Sequence, residues 1–338
     1  MVDILTILPK ELILVVISLL DISSKFSLGC VNCLFGSCTK SKTPNIVTIH
    51  LDAINEGYTT LFRWLVQDKD KNNIMIRLNI HRYLEKAAEH GNLELLKYIT
   101  KITNVRYYSK NMLNCVVIGN NLEMIKWLKH RNNSKCFWNT SNCSTAAKYN
   151  RFEILKYLHD NGCPWDVWSC HRAAENGNLK ILTYLHENGC HWNTFTCSYA
   201  AYTGQLEILK YLHENGCEWS SEACSNAAHN GHLDVLIYLH ENGCDWDKCA
   251  CSSAALNGHL TVLKYLHENG CDWDKYACCN SIKHGHLDIL KYLHENDCEW
   301  SEWDCYYASK HDRTDILQYL HENGCRCIMS NCVYCKNT

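Results

Sequence analysis

The chain lacks the features that would place it in a membrane, send it out of a cell or fix it to a nucleic acid. Its N-terminal apolar stretch, Leu12 to Leu20, is nine residues long, whereas a helix that spans a bilayer needs about 20. Met1 to Lys10 has neither the basic start nor the small-residue cleavage site of a secretory signal, so this segment is expected to be neither anchor nor export signal. A formal net charge of −3 gives no basic footprint for nucleic acid and no polybasic face for a membrane. Also missing are H-E-x-x-H, a Gly-rich phosphate loop and a nucleophile-base-acid set. A protein that is not an enzyme, uses no cofactor and binds neither nucleic acid nor membrane is the expectation.

What is present is an ordinary core-forming composition, 46% hydrophobic and 20% charged over 338 residues, with one unusual number. There are 24 cysteines. Without a secretory signal they point to an intracellular, reducing compartment, where cysteine acts as a small apolar core residue and not as part of a disulfide framework.

The chain repeats one phrase, C-S-x-A-A-x-x-G-H-L-x-x-L-K-Y-L-H-E-N-G-C-x-W-D, from about residue 143. The cysteine after E-N-G recurs every 27 residues, at Cys163, Cys190, Cys217, Cys244, Cys271, Cys298 and Cys325. A fixed period of this size marks a solenoid of stacked supersecondary units. Each unit reads as two helices. From Trp192 to Gly216, Asn193 is a candidate N-cap for Thr194 to Thr203, with the small pair Ala200-Ala201 before Gly204. The second helix runs from Gln205 to Asn215, with Leu206, Ile208, Leu209, Tyr211 and Leu212 on its apolar side and Glu207, Lys210 and Glu214 on its wet side.

The runs Ala227-Ala228-His229-Asn230-Gly231-His232-Leu233-Asp234-Val235-Leu236 and Glu241-Asn242-Gly243-Cys244-Asp245-Trp246-Asp247 resemble the ankyrin repeat. The family unit is about 33 residues, and here roughly six are missing between the Trp-Asp and the next first helix, where the family forms its projecting β-hairpin. The resemblance therefore implies an all-α, ankyrin-like solenoid without that finger, the Trp filling volume the loop leaves. Before residue 143 the repeat is degenerate. Second-helix remnants at Leu61–Leu65, Leu93–Tyr98 and Leu122–Leu128 place Trp64, Tyr98, Trp127 and Tyr157 at spacings of 34, 29 and 30. The expected organisation is a short helical module at 1–40, degenerate repeats at 44–142, and regular repeats with a C-terminal cap at 143–338, about ten helix pairs in all.

The first module carries Leu8-Pro9-x-Glu11-Leu12, then Ile17, Leu20, Phe26, Val31 and Phe35. This pattern resembles the F-box, which implies docking on Skp1 and a link to a cullin-based ubiquitin ligase. The alternative is a hydrophobic cap that closes the end of the solenoid.

Several side-chain columns suggest chemistry. His159, His186, His213, His240, His267, His294 and His321 form a ladder, but equivalent atoms of stacked units lie roughly 8 to 10 Å apart, while zinc ligands sit ~2 Å from the metal. A surface or groove-lining column is the reading that remains. The same spacing argues against disulfides along the cysteine ladder, because bridged Cα atoms lie within about 7 Å. Cys325, Cys327, Cys332 and Cys335 bring four thiols within eleven residues and are the one zinc candidate, although the first two belong to the repeat register. No metal is expected.

Copies within one chain can also be compared. Positions shared by every copy serve stacking; positions that vary are free of that demand. One varying column is Trp168, Phe195, Glu222, Cys249, Tyr276 and Trp303. A second holds Arg172, Tyr199, Asn226 and Tyr307, with Ser253 and Asn280, and a third holds Glu175, Tyr202, His229, Lys283 and Lys310, with Leu256. All fall on or just before the first helix, the side that lines the groove in ankyrin-like stacks, and exposed Trp, Tyr and Arg are residue types that carry protein interfaces.

The functional expectation is thus a non-enzymatic binding protein that grips a protein target through its first-helix face and recruits a Skp1-cullin ligase through its N-terminus. The alternatives are a binding scaffold or decoy without ligase recruitment, and a metal-dependent or redox protein that uses the cysteines. Near-identical 27-residue units behind such an N-terminus resemble the ankyrin proteins of giant DNA viruses (mimivirus-like), which implies a host-cytoplasm setting.

Overall fold

The structure, a computed structural model, describes residues 51, 54, 55, 59, 62, 63 and 72–325, apart from 106, 107, 110, 132–137 and 302. The F-box-like residues Leu8 to Phe35 and three of the four zinc-candidate thiols, Cys327, Cys332 and Cys335, lie outside them. Among the described residues there are 18 helices and no strand, so the missing six-residue segment does leave the units without a β-finger. The helices form nine consecutive pairs, and residues 51, 54, 55, 59, 62 and 63, ahead of the first pair, are helical too.

The chain divides into two compact units, one made of residues up to 146 with 153–164, the other of 147–152 with 165 onward. The first unit holds α1 (Asn72–Glu89), α2 (Leu93–Thr103), α3 (Met112–Ile118) and α4 (Leu122–Arg131). The division passes through α5 (Thr140–Lys148) and α6 (Phe152–Asp160). The second unit holds α7 (Val167–Glu175), α8 (Leu179–Glu187), α9 (Thr194–Tyr202), α10 (Leu206–Glu214), α11 (Ser221–His229) and α12 (Leu233–Glu241). It continues through α13 (Lys248–Asn257), α14 (Leu260–Glu268), α15 (Lys275–His284), α16 (Leu287–Glu295), α17 (Asp304–Lys310) and α18 (Thr314–Glu322).

In the second unit each first helix packs on the next, α7 on α9, α9 on α11, and so on to α17. The alanine pairs Ala173-Ala174, Ala200-Ala201, Ala227-Ala228 and Ala254-Ala255 are fully buried, and their lack of side-chain volume is what lets neighbouring backbones approach. Each second helix buries an aliphatic triad such as Ile208, Leu209 and Leu212, worth roughly 1.5 to 3 kcal/mol per side chain. The helix starts follow from short polar side chains. Asn193 accepts from the Phe195 N–H at 3.2 Å, and the Thr196 hydroxyl accepts from the Asn193 N–H at 3.4 Å. Asp247 and Asp274 cap α13 and α15 in the same way.

The G-H pair of the repeat joins one copy to the next. Gly204, Gly231 and Gly258 have left-handed backbones, and a Cβ on any of them would fall 2.5 to 2.8 Å from the imidazole of His232, His259 or His286 in the following copy. His259 Nε2–H in turn donates to the His229 carbonyl at 3.1 Å, and His286 Nε2–H to the Leu256 carbonyl at 3.1 Å. The carbonyls that a helix leaves unpaired at its end are thereby partly satisfied by the neighbouring copy. Asn178 does the same for Ala147 at 2.7 Å, and Arg313 reaches the Lys283 carbonyl at 3.4 Å.

On the other side of the helix pairs runs an aromatic ladder. His186, His213, His240, His267 and His294, expected as a surface or groove-lining column, are half-buried. Each stacks face to face on the Trp six residues later, Trp192, Trp219, Trp246, Trp273 or Trp300, with centroids 3.8 to 4.0 Å apart. Each such Trp meets the edge of the next copy's Tyr at 6.1 to 6.3 Å. The tryptophan thus serves as the contact between copies on the turn side.

Among the described residues the cysteines are buried as expected, apart from the exposed Cys249 and the half-buried Cys279, with a further regularity. The first-helix Cys and the turn Cys 20 residues later in the same copy meet sulfur to sulfur. The pairs are Cys143/Cys163, Cys170/Cys190, Cys197/Cys217, Cys224/Cys244, Cys251/Cys271, Cys278/Cys298 and Cys305/Cys325, with Sγ–Sγ distances of 2.7 to 3.6 Å. All are present as thiols.

The first unit solves the same packing problem partly with larger side chains, although α1 keeps a buried alanine pair, Ala87-Ala88. Leu84 and Leu113 stand where the later first helices have Cys, and Val116-Val117 of α3 stand where they have Ala-Ala; all four are buried. Tyr83 is fully buried with its ring edge-on to Phe62 at 5.9 Å. The inter-copy cap is kept with a different residue, since Asn121 Nδ2 donates to the Gly91 carbonyl at 2.8 Å.

Candidate protein-binding face

On a first helix the buried residues repeat with helical spacing, as Cys197, Ala200 and Ala201 show in α9. The side chains between them point outward by geometry. Phe195 and Tyr202 are exposed and Tyr199 is half-buried. The pattern holds for the whole predicted set: of Trp168, Arg172, Glu175, Phe195, Tyr199, Tyr202, Glu222, Asn226, His229, Tyr276, Lys283, Trp303, Tyr307 and Lys310, none is buried.

Eight large hydrophobic side chains are exposed among the described residues, and five of them, Trp168, Phe195, Tyr202, Tyr276 and Trp303, belong to the varying columns. Apolar rings at about half exposure lose favourable burial unless a partner covers them. They fall into two groups. At one end of the second unit, Trp168 meets His171 edge-on at 5.1 Å, and His171 packs at 5.4 Å on Tyr199 of the next copy. Tyr202 stacks at 6.0 Å on His229. At the other end, Trp303 is 6.1 Å from Tyr306, which is 5.5 Å from Tyr307. Between the groups the face is polar, with Glu222, Asn226, Cys249 and Ser253.

The charges differ between the groups. Arg172 and Glu175 neutralise each other across 2.6 Å. Lys283, by contrast, lies over the Tyr307 ring at 4.2 Å and Lys310 over the Tyr306 ring at 5.7 Å, a cation–π arrangement that leaves both ammonium groups available to a carboxylate. The Lys283 ammonium also opposes the burial that holds the Cys279 thiol above its usual value.

The structure also brings in residues outside the expected set. His171 is almost fully buried beneath the Trp168 and Tyr199 rings, its Nε2 2.9 Å from Asn193 Oδ1. Burial holds its pKa below the ordinary histidine value, so it is a neutral spacer packed against the exposed Trp168 ring and the half-buried Tyr199 ring. Tyr306 plays the same part between Trp303 and Tyr307. Both occupy the column 171, 198, 225, 252, 279, 306, whose other members are three serines and a cysteine; its two large members were the available signal. Among the described residues no group of three His, Cys, Asp or Glu is arranged to hold a metal ion, and no helix is long and apolar enough to cross a membrane.

Sequence profiles described as ankyrin repeats (3 copies) match residues 170–250, 197–277 and 251–331. A profile described as ankyrin repeats (many copies) matches 143–186. Residues 143–331 are ankyrin repeats. The repeats make the chain a protein-binding repeat protein, of a class that in general supplies interaction scaffolds and not catalysts. No curated protein shows a significant match to the chain. Against the ankyrin unit of about 33 residues, the array here is shortened at the finger.

Proposed function

We propose that this protein captures a protein partner on the varying first-helix face of its ankyrin repeats and delivers it to a Skp1-cullin ubiquitin ligase recruited by the F-box-like residues 8–35. One observation carries the first half. The positions released from the stacking pattern hold five of the six exposed Trp, Phe and Tyr side chains among the described residues, and aromatic anchors of this kind dominate binding energy at protein interfaces. The two aromatic groups would seat apolar side chains of the partner, and Lys283 and Lys310 favour an acidic segment beside the Trp303 group. Catalysis in this reading belongs to the recruited ligase, and the chain contributes proximity.

The ligase half is supported by the Leu8-Pro9-x-Glu11-Leu12 resemblance and the apolar positions that follow it. The setting that suits both halves is intracellular and reducing, the host cytoplasm if the resemblance to giant-virus ankyrin proteins reflects origin. The test is affinity capture of Skp1 by the full chain and by a full-length Leu8→Asp, Leu12→Asp variant. Recovery of Skp1 and cullin with the unaltered chain only is the expected result. Absence of Skp1 from both, with a partner still captured, would leave a binding scaffold or decoy.

A further inference from the structure

Each regular copy carries a pair of thiols whose two members are not equivalent. The first-helix cysteines, such as Cys197, Cys224 and Cys251, are fully buried at 0% exposure, while their turn partners Cys217, Cys244 and Cys271 retain 3 to 4%. At Cys190 and Cys217 the turn cysteine borders an opening. Cys190 and Cys217, with Trp192 and the flanking glycines Gly189 and Gly216, line a recess of about 490 Å³ between the turns of two copies. Within each pair the sulfurs are already in contact, at 3.1 Å for Cys197/Cys217 and 3.3 Å for Cys224/Cys244 and Cys251/Cys271. A disulfide requires about 2.05 Å, so closure asks for roughly one ångström of further approach, which falls on a turn bounded by glycine. Cysteines of adjacent copies are about one helix spacing apart, 8 to 10 Å, and cannot substitute for the partner within the copy.

We propose that these pairs are oxidation sites for small hydroperoxides: the turn cysteine is attacked first, and the first-helix cysteine resolves it into a disulfide that closes within a single copy. The chemistry balances without any other reactant. The turn thiolate attacks the terminal oxygen of the hydroperoxide, the O–O bond breaks, and the departing alkoxide takes up the proton that the thiol released. The turn cysteine is now a sulfenic acid. The helix thiol then attacks that sulfur, the S–S bond forms, the S–O bond breaks, and the hydroxyl leaves as water with the helix thiol's proton. Two thiols and one hydroperoxide become one disulfide, one alcohol and one water.

The electrostatics agree with this division of roles. The S–H donated by Cys197 holds the Cys217 thiol below its usual value, and that donation together with burial holds Cys197 above its own. The pairs Cys224/Cys244 and Cys251/Cys271 show the same opposed directions. The nucleophilic form is therefore favoured on the turn sulfur, the less deeply buried member of each pair. Closure ties the first helix of a copy to the turn that leaves its second helix, which restricts the unfolded chain and should raise the melting temperature.

The experiment treats the native full-length chain with hydrogen peroxide and maps disulfides by mass spectrometry after blocking remaining thiols. The expected product links cysteines 20 residues apart, with loss of two hydrogens per pair and a raised melting temperature. A Cys224→Ser variant should leave Cys244 as a sulfenic acid that a cyclic-diketone probe captures, whereas Cys244→Ser should leave Cys224 unlabelled. Should either serine disturb folding, as read by circular dichroism, Cys224→Ala and Cys244→Ala replace them. Links between non-partner cysteines, equal labelling of Cys224 and Cys244, or oxidation confined to the exposed Cys249 would each overturn the proposal.

Discussion

Val116 and Val117 of α3 occupy, fully buried, the positions that Ala227 and Ala228 hold in α11. Asn120, with φ 52, takes the left-handed place of Gly231, with φ 74. The two regions thus build the same helix pair from different side chains. In the first unit, volume is filled locally by Leu84, Leu113, Met112 and Met124, and each copy is its own packing solution. In the second, small residues on the first helix allow one solution to be repeated, so the copies from α7 to α14 carry the same Cys, Ala-Ala, His, Trp and Tyr, and only towards the end does α15 put Ser281 and Ile282 in the place of the alanines. The difference teaches why the regular region is so uniform in sequence: a side chain there is shaped by the copy before it and the copy after it. Uniformity at buried positions is what makes variation at exposed ones informative.

The comparison can be broken at several points. The largest effect is expected from Leu209→Ala in α10, a fully buried member of the aliphatic triad, which should cost about 2 to 5 kcal/mol by denaturant unfolding. Exchanging the two small-residue solutions comes next. Ala228→Val should overpack α11 against its neighbours and cost about 1 to 3 kcal/mol, and Val117→Ala should destabilise α3 by leaving a void. If Ala228→Val were neutral, the close approach of first helices would not be the reason for the alanines.

A smaller and opposite effect is expected at Asp297, which has φ 62 where Gly270, in the preceding copy, has φ 83. A Cβ at Gly270 would meet nothing within 4 Å, so the cost of a side chain at this turn is backbone strain alone. Asp297→Gly should raise stability by about 1 kcal/mol; an unchanged melting temperature would count against that strain. Gly231→Ala differs, because its Cβ would also strike the His259 ring 2.5 Å away, and it should be the more damaging glycine change.

The pH dependence comes last. Burial holds His171, His259 and His284 below the ordinary histidine value of 6.5. Their folded pKa values are depressed, so the neutral rings contribute stability that is complete above 6.5 and is lost as the pH falls through the folded values. All three lie in the second unit. Thermal melts at descending pH should therefore show the second unit weakening, and His171→Gln should reduce that acid sensitivity.

Much of this was legible in the residues. The period fixed the helix pairs, the roles of Asn193, Gly204 and Gly216 followed from capping chemistry, and the varying columns fell on accessible positions in every case. Other features depend on contacts between copies, which periodicity does not reveal. His213 reads as a surface residue on its own helix, and only the neighbouring copy's Tyr238, edge-on at 6.3 Å, gives it a place in a ladder. The cysteine pairs are not legible in the period, which relates equivalent cysteines of different copies, whereas the contact joins two non-equivalent cysteines 20 residues apart within one copy. His171 escaped because three of the other five members of its column, Ser198, Ser225 and Ser252, are serine, and its role is to hold Trp168 and Tyr199 from beneath.

The central claim is that the varying first-helix face captures a protein. It is tested most directly by quantitative affinity capture with the full chain, a Trp168→Ala, Tyr199→Ala, Trp303→Ala variant, and a control carrying Glu207→Ala and Lys210→Ala on the second-helix side, with helicity checked for all three. A partner retained by the chain and the control but lost from the triple variant is the predicted result. Equal retention of every captured protein by the triple variant would contradict the account.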